Sequence, residues 1–138
     1  MKHTLVSLVA AAALGTLWIA PAIAQNDLYI FDMPQKHPAA YRAYKNLLPK
    51  SFKKVSWIYR LDGTATPVDE QIIGGVNYLT GTVCKPHDCG DNIIAILVTA
   101  SGSRAVALLR SVDLSKGNDR PFGHPSPEEL DTLKALLN

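Results

Sequence analysis

Two cysteines occur in 138 residues, and both lie in the run Cys84-Lys85-Pro86-His87-Asp88-Cys89-Gly90. Sulfur, imidazole and carboxylate this close together allow several chemistries. Bonded sulfurs would close a short ring with an imidazole near its tip. Free thiolates would make Cys84, His87 and Cys89 a C-x2-H-x-C zinc motif. That motif supplies three ligands at most, at a spacing that strains a tetrahedral site. A redox-active pair is a third reading, although the spacing is not the C-x-x-C of thioredoxin-like sites. Catalysis through His87 lacks an accompanying nucleophile or acid at a defined spacing, so no catalytic residue is assigned. Asp88 is the nearest acid, but adjacent residues rarely face each other.

The redox compartment decides between these chemistries. Met1-Lys2-His3 is a short basic start, Thr4 to Ala20 is an apolar and small run, and Ala22-Ile23-Ala24 fits a small-x-small cleavage site. This pattern predicts a secretory signal peptide over residues 1–24 and a single mature domain over 25–138. The apolar run is short for a membrane anchor and has no stop-transfer charges after it. An exported chain with two cysteines favours one disulfide, so neither metal nor cofactor is expected. Export also predicts a periplasmic location. Loss of Lys2 from the 14 basic residues leaves 13 against 12 acids, which argues against nucleic acid and anionic lipid as partners. The sequence leaves monomer and homodimer both open.

The elements that must position the run can be read outward from it. Asn92 to Ala100 and Arg104 to Val112 flank a Ser101-Gly102-Ser103 turn and are apolar at successive positions. Strands of that kind need cover on both faces, which makes them central. Glu70 to Ile73, Gly74-Gly75 and Val76 to Val83 read as a β-hairpin, the glycines supplying positive φ at the turn. Pro38 to Leu48 reads as a helix stopped by Pro49, with Tyr41, Tyr44 and Leu48 on its core face. Val55 to Leu61, around Trp57, fits either a strand or a short helix. Asp113 to Gly123 reads as a polar connection. Ser126-Pro127-Glu128-Glu129 is a capping box opening a helix with Leu130, Leu133 and Leu137 as its apolar stripe. The sum is an α+β domain: a central antiparallel sheet with helices on both faces, an α/β/α sandwich.

The cysteine run therefore connects two sheet strands and is carried on a rigid scaffold. Closing so short a ring stabilises by only about 2 kcal/mol on the loop-entropy model, so its value is local rigidity. Pro86 fixes its own φ and restricts Lys85. Gly90 is expected to take the backbone out of the ring at a φ that other residues resist. A charged imidazole donates from both nitrogens, which suits a pair of carboxylates. Retaining glycosidases hold two carboxyl groups about 5 Å apart in an open cleft. A rigid protruding histidine would lose little entropy on filling such a cleft.

Cys84-Lys85-Pro86-His87-Asp88-Cys89-Gly90 resembles the signature loop of the Ivy family, bacterial inhibitors of vertebrate-type (c-type) lysozyme. The order of elements around it is similar too: leader, early helix, tryptophan segment at Trp57, hairpin into the loop, two strands, C-terminal helix. The resemblance implies a non-enzyme with a Cys84–Cys89 disulfide, whose loop enters the lysozyme cleft. It implies that His87 bonds the catalytic carboxylates, with Lys85, Pro86 and Asp88 shaping or flanking that key. Lysozymes of this type are strongly basic and this chain is not acidic, so affinity would rest on the loop's fit more than on steering. Two other readings use the same loop: a regulator of the cell's own wall-cleaving enzymes, and a structural or adaptor domain in which the disulfide is only a staple.

Overall fold

The computed structural model describes residues 27–138, and the leader expected over 1–24 lies outside the described residues. Along the chain run α1 (Met33–Lys36), α2 (Pro38–Leu47), α3 (Ser56–Tyr59), β1 (Thr64–Ala65), β2 (Asp69–Ile73), β3 (Val76–Cys84), β4 (Asn92–Val98), β5 (Ala105–Ser111), α4 (Val112–Ser115), β6 (Asp119–Phe122) and α5 (Pro127–Leu136). Short 3₁₀ turns at Ile30–Asp32 and Lys50–Lys54 precede α1 and α3. The sheet order is β1-β3-β4-β5-β6, and β2 pairs with the remainder of the β3 edge that β1 uses. Every pairing is antiparallel.

The central strands are covered on both sides, as their unbroken apolar composition requires. Successive strand side chains point to opposite faces. Ile94, Ile96, Val98, Ala107 and Leu109 join Ile30, Met33, Tyr44, Trp57 and Ile58 in one core layer. Ala95, Leu97, Val106 and Leu108 join Tyr78 and Leu133 in the other. The N-terminal helices thus cover one face and α5 the other, giving the expected α+β arrangement.

Local chemistry explains the elements. Gly74 and Gly75 take φ of 56° and 80°, the paired positive values of a type I′ hairpin turn between β2 and β3. Tyr44 is fully buried and its hydroxyl donates to the Ile58 carbonyl at 2.9 Å, tying α2 to α3. The Trp57 segment is helical. Asp113 to Gly123 is more structured than its polar composition suggests: it contains the end of α4 and the edge strand β6. Pro121 cannot donate to a ladder, which is why β6 stands at the sheet's edge.

The capping box forms, with Glu129 N donating to Ser126 Oγ at 3.3 Å and Ser126 N to Glu129 Oε2 at 2.7 Å. Glu129 has a second, long-range role. Its carboxylate accepts from Arg104 Nη2 at 2.6 Å and Nε at 3.0 Å, and from Tyr78 Oη at 2.5 Å. These bonds, led by Arg104, pull the Glu129 carboxyl down to about 2 against the desolvation that opposes them. The cluster fastens the start of α5 to β3 and β5.

Candidate functional site

The loop leaves the sheet between its inner strands. β3 and β4 pair from Leu79↔Val98 to Cys84↔Ile93, so both ends of the loop are set by a continuous ladder. Cys84 and Cys89 are bonded, with Cα atoms 4.9 Å apart, inside the usual range for a disulfide. Both sulfurs are thereby committed to each other, and the thiolate zinc motif is not formed. Cys84 is buried in the sheet, whereas Pro86, His87, Cys89 and Gly90 are exposed. Beneath the ring, a Cβ on Gly63 would collide with the Cys84 carbonyl and lie 3.1 Å from the Trp57 Cβ. Glycine at 63 lets the chain cross directly under the loop's base.

Within the ring, Asp88 N donates to the Lys85 carbonyl at 3.0 Å, closing a β-turn with Pro86 and His87 at its centre. His87 has φ of 63°. Proline cannot take positive φ, so the turn is type II, with proline at its preferred second position and His87 in the third, where glycine is usual. The expectation for Gly90 is corrected here: among the described residues the glycines with positive φ are 74, 75, 102, 117 and 123, and the left-handed residue of the loop is His87. The reason is the turn itself, which reverses the chain at Pro86-His87, before the ring closes. The imidazole is thus set at the apex of a turn whose backbone is hydrogen-bonded and whose ends are covalently joined.

Asp88 does not orient His87. Its Oδ2 accepts from Asn92 Nδ2 at 2.8 Å and lies 3.2 Å from Lys85 Nζ. Lys85 also reaches out of the loop to Asp113 Oδ2 at 2.7 Å. The hydrogen bonds to Asp113 and Asp88 hold the lysine's pKa above its ordinary value. Asn92 is buried, and its Oδ1 accepts from Ser111 Oγ and from the backbone N–H of Asp113. Val112 stands beside this network, 54% exposed, with its N–H bonded to the Asp91 carbonyl at 2.9 Å. The expected loop residues Lys85, Pro86, His87 and Asp88 are therefore brought together, His87 and Pro86 outermost. Asn92, Ser111, Val112 and Asp113 are additions that sequence reasoning missed. The only available signal was the Asp113 position just past an apolar strand, which is too common to mark a site.

The two inner strands of this α+β domain thus carry a disulfide-closed loop with an exposed histidine at its turn. The chain belongs to the family described as Inhibitor of vertebrate lysozyme (Ivy), whose model matches residues 39–136. A relative in Escherichia coli (strain K12), named Inhibitor of vertebrate lysozyme, is 28% identical over 113 residues, covering 82% of this chain and 68% of that one. One of the same name in Pseudomonas aeruginosa is 30% identical over 109 residues, 78% of this chain and 69% of the other. An uncharacterized protein of Pseudomonas aeruginosa is 30% identical over 131 residues, 91% of this chain and 81% of its own length. Membership of a family of inhibitors classes the chain as a non-enzyme.

Proposed function

We propose that the chain is an exported, periplasmic inhibitor of c-type lysozyme that acts by occlusion. The loop from Cys84 to Cys89 enters the active-site cleft, and the His87 imidazole bonds the two catalytic carboxyl groups. The observation that carries this reading is the type II turn at Lys85–Asp88, which puts an exposed histidine at the apex of a covalently closed loop. Family membership and the names of the relatives support lysozyme as the target class. Rigidity favours affinity, because few torsions remain to be frozen on binding. Pro86 supplies apolar surface next to His87, and the exposed Val112 supplies it beside Asp91 at the foot of the loop. Each copy carries a complete loop, so occlusion needs no second copy of the chain. The export pattern at the N-terminus supports a role in protecting the cell wall from an external muramidase.

Lysis of a cell-wall suspension by c-type lysozyme, followed with increasing amounts of the mature protein, tests the proposal. Lysis should stop near equimolar protein. Undiminished lysis at several-fold molar excess would refute it.

A further inference from the structure

The disulfide fixes the distance between the ends of the ring but not the angle at which the ring stands on the sheet. A ring held only at Cys84 and Cys89 can rock about its two junctions. Rocking is opposed first by the backbone of Asn92, whose carbonyl accepts from Lys85 N at 3.0 Å and whose N–H donates to the Asp88 carbonyl at 3.1 Å, and then by side chains outside the ring. Asn92, the first residue of β4, is 1% exposed, so its amide is held in one place. The backbone N–H of Asp113 can only donate, at 3.4 Å, which puts Oδ1 on that side and turns Nδ2 toward the Asp88 carboxylate at 2.8 Å. Ser111 Oγ closes the arrangement by donating to the same Oδ1 while accepting from Leu114 N at 3.1 Å. On the outer side Lys85 Nζ spans Asp88 and Asp113. One residue early in the ring and one late in it are thus both tied to the β5–α4 junction, more than 20 residues further along the chain.

We propose that Asn92 is the positioning residue of the inhibitory loop, with Asp113 its outer partner: together they set the ring's angle on the sheet and so aim His87. The proposal rests on the reading of the loop as the element that engages lysozyme, and it adds residues that do not themselves touch the enzyme. Asn92 acts through Asp88, and Asp113 through Lys85. Because the ring is already closed by its disulfide, loss of this bracket should alter loop order more than global stability.

Asn92→Asp tests it with little change of shape. The aspartate keeps an acceptor for Ser111, loses the donor to Asp88 and sets two carboxylates against each other. Asp113→Ala, at an exposed site, is the second variant should the first fold poorly. Two measurements are made on each, with His87→Ala alongside: amide hydrogen exchange at His87 to Gly90 in the free protein, and inhibition of c-type lysozyme. Exchange in the loop should rise about tenfold in Asn92→Asp and two- to fivefold in Asp113→Ala, with core strands unchanged, since local openings report separately from global unfolding. Inhibition should weaken by similar factors, and Asp113→Glu should recover most of it. Asp113→Ala added to Lys85→Ala should have little further effect on exchange, because both remove one ion pair. Unchanged loop exchange in both variants overturns the bracket. So does faster exchange with full inhibition, provided His87→Ala inhibits poorly. If His87→Ala inhibits fully, the inhibitory reading of the loop has failed instead, and the exchange data alone decide whether the bracket orders the ring.

Discussion

His87 should be a residue whose replacement weakens function without weakening the fold. It occupies the third position of a type II turn at φ of 63°, a conformation in which a Cβ is unwelcome. For an L-residue the left-handed region costs roughly 1–2 kcal/mol. Glycine escapes that cost but brings about 0.4–1 kcal/mol of extra freedom to the unfolded chain. His87→Gly should therefore be more stable than wild type by about 0.5–1 kcal/mol, and His87→Ala, which keeps the Cβ, should be close to wild type. For a domain of this size 0.5–1 kcal/mol corresponds to a rise in Tm of about 2–4 °C. Both variants should lose most inhibition of c-type lysozyme, since both lack the imidazole. Thermal denaturation and a lysis assay on the three proteins check this together. A His87→Gly protein that is clearly less stable than wild type would refute the claim of strain and mean that the imidazole makes stabilising contacts. A glycine or alanine variant that inhibits fully would refute the role of His87. Strain retained at an exposed side chain, with its cost borne by the surrounding fold, is what a presented functional group leads one to expect.

Three further outcomes follow from the geometry. Replacing both Cys84 and Cys89 by alanine should lower stability by about 2 kcal/mol on the loop-entropy model, leave the fold intact by circular dichroism, and reduce inhibition through loss of loop order. Gly63→Ala should destabilise by about 2 kcal/mol or more, because the new methyl group meets the Cys84 carbonyl, and denaturant unfolding should register it as a lowered midpoint. Glu129 should contribute to the acid sensitivity of the fold. Its folded pKa of about 2 lies below the ordinary 4.5, so its contribution is present above pH 4.5 and is lost as pH falls through 2. That difference corresponds to about 3 kcal/mol at neutral pH. Glu129→Gln should therefore be markedly less stable than wild type at pH 7, and the gap should narrow toward pH 2 in a thermal-melt series. A gap that stayed constant would mean that packing, not charge, is what the glutamate supplies.

Much of this structure is visible in the residues themselves, for physical reasons that also explain what is not. β4 and β5 are legible because a strand covered on both faces must be apolar throughout. The β2–β3 hairpin is legible from Gly74-Gly75, and α5 from its capping box, since both are set by local backbone chemistry. The Trp57 segment is ambiguous because four residues are too few to express a period. β6 is hidden by Asp119, Arg120 and Pro121, residues that an edge strand tolerates and a strand pattern does not predict. The loop announces itself through its cysteines, yet the strained residue is His87 and not Gly90. Pro86, a residue favoured at the second position of a turn, is the signal in the sequence that points to it. The supports are the least legible part. Asn92 meets Asp113 across 21 residues and Arg104 meets Glu129 across 25, separations at which sequence order carries no record of contact.

Occlusion of the lysozyme cleft by the His87 loop makes one direct demand: the inhibitor and an oligosaccharide occupying the same cleft must exclude each other. Binding of the mature protein to c-type lysozyme should be measured by calorimetry, with and without a saturating chito-oligosaccharide. Occlusion predicts that the apparent Kd rises as the reciprocal of the fraction of lysozyme left free of oligosaccharide, without limit as saturation is approached. An unchanged Kd, with oligosaccharide and inhibitor bound at once, would place the contact outside the cleft and contradict the account.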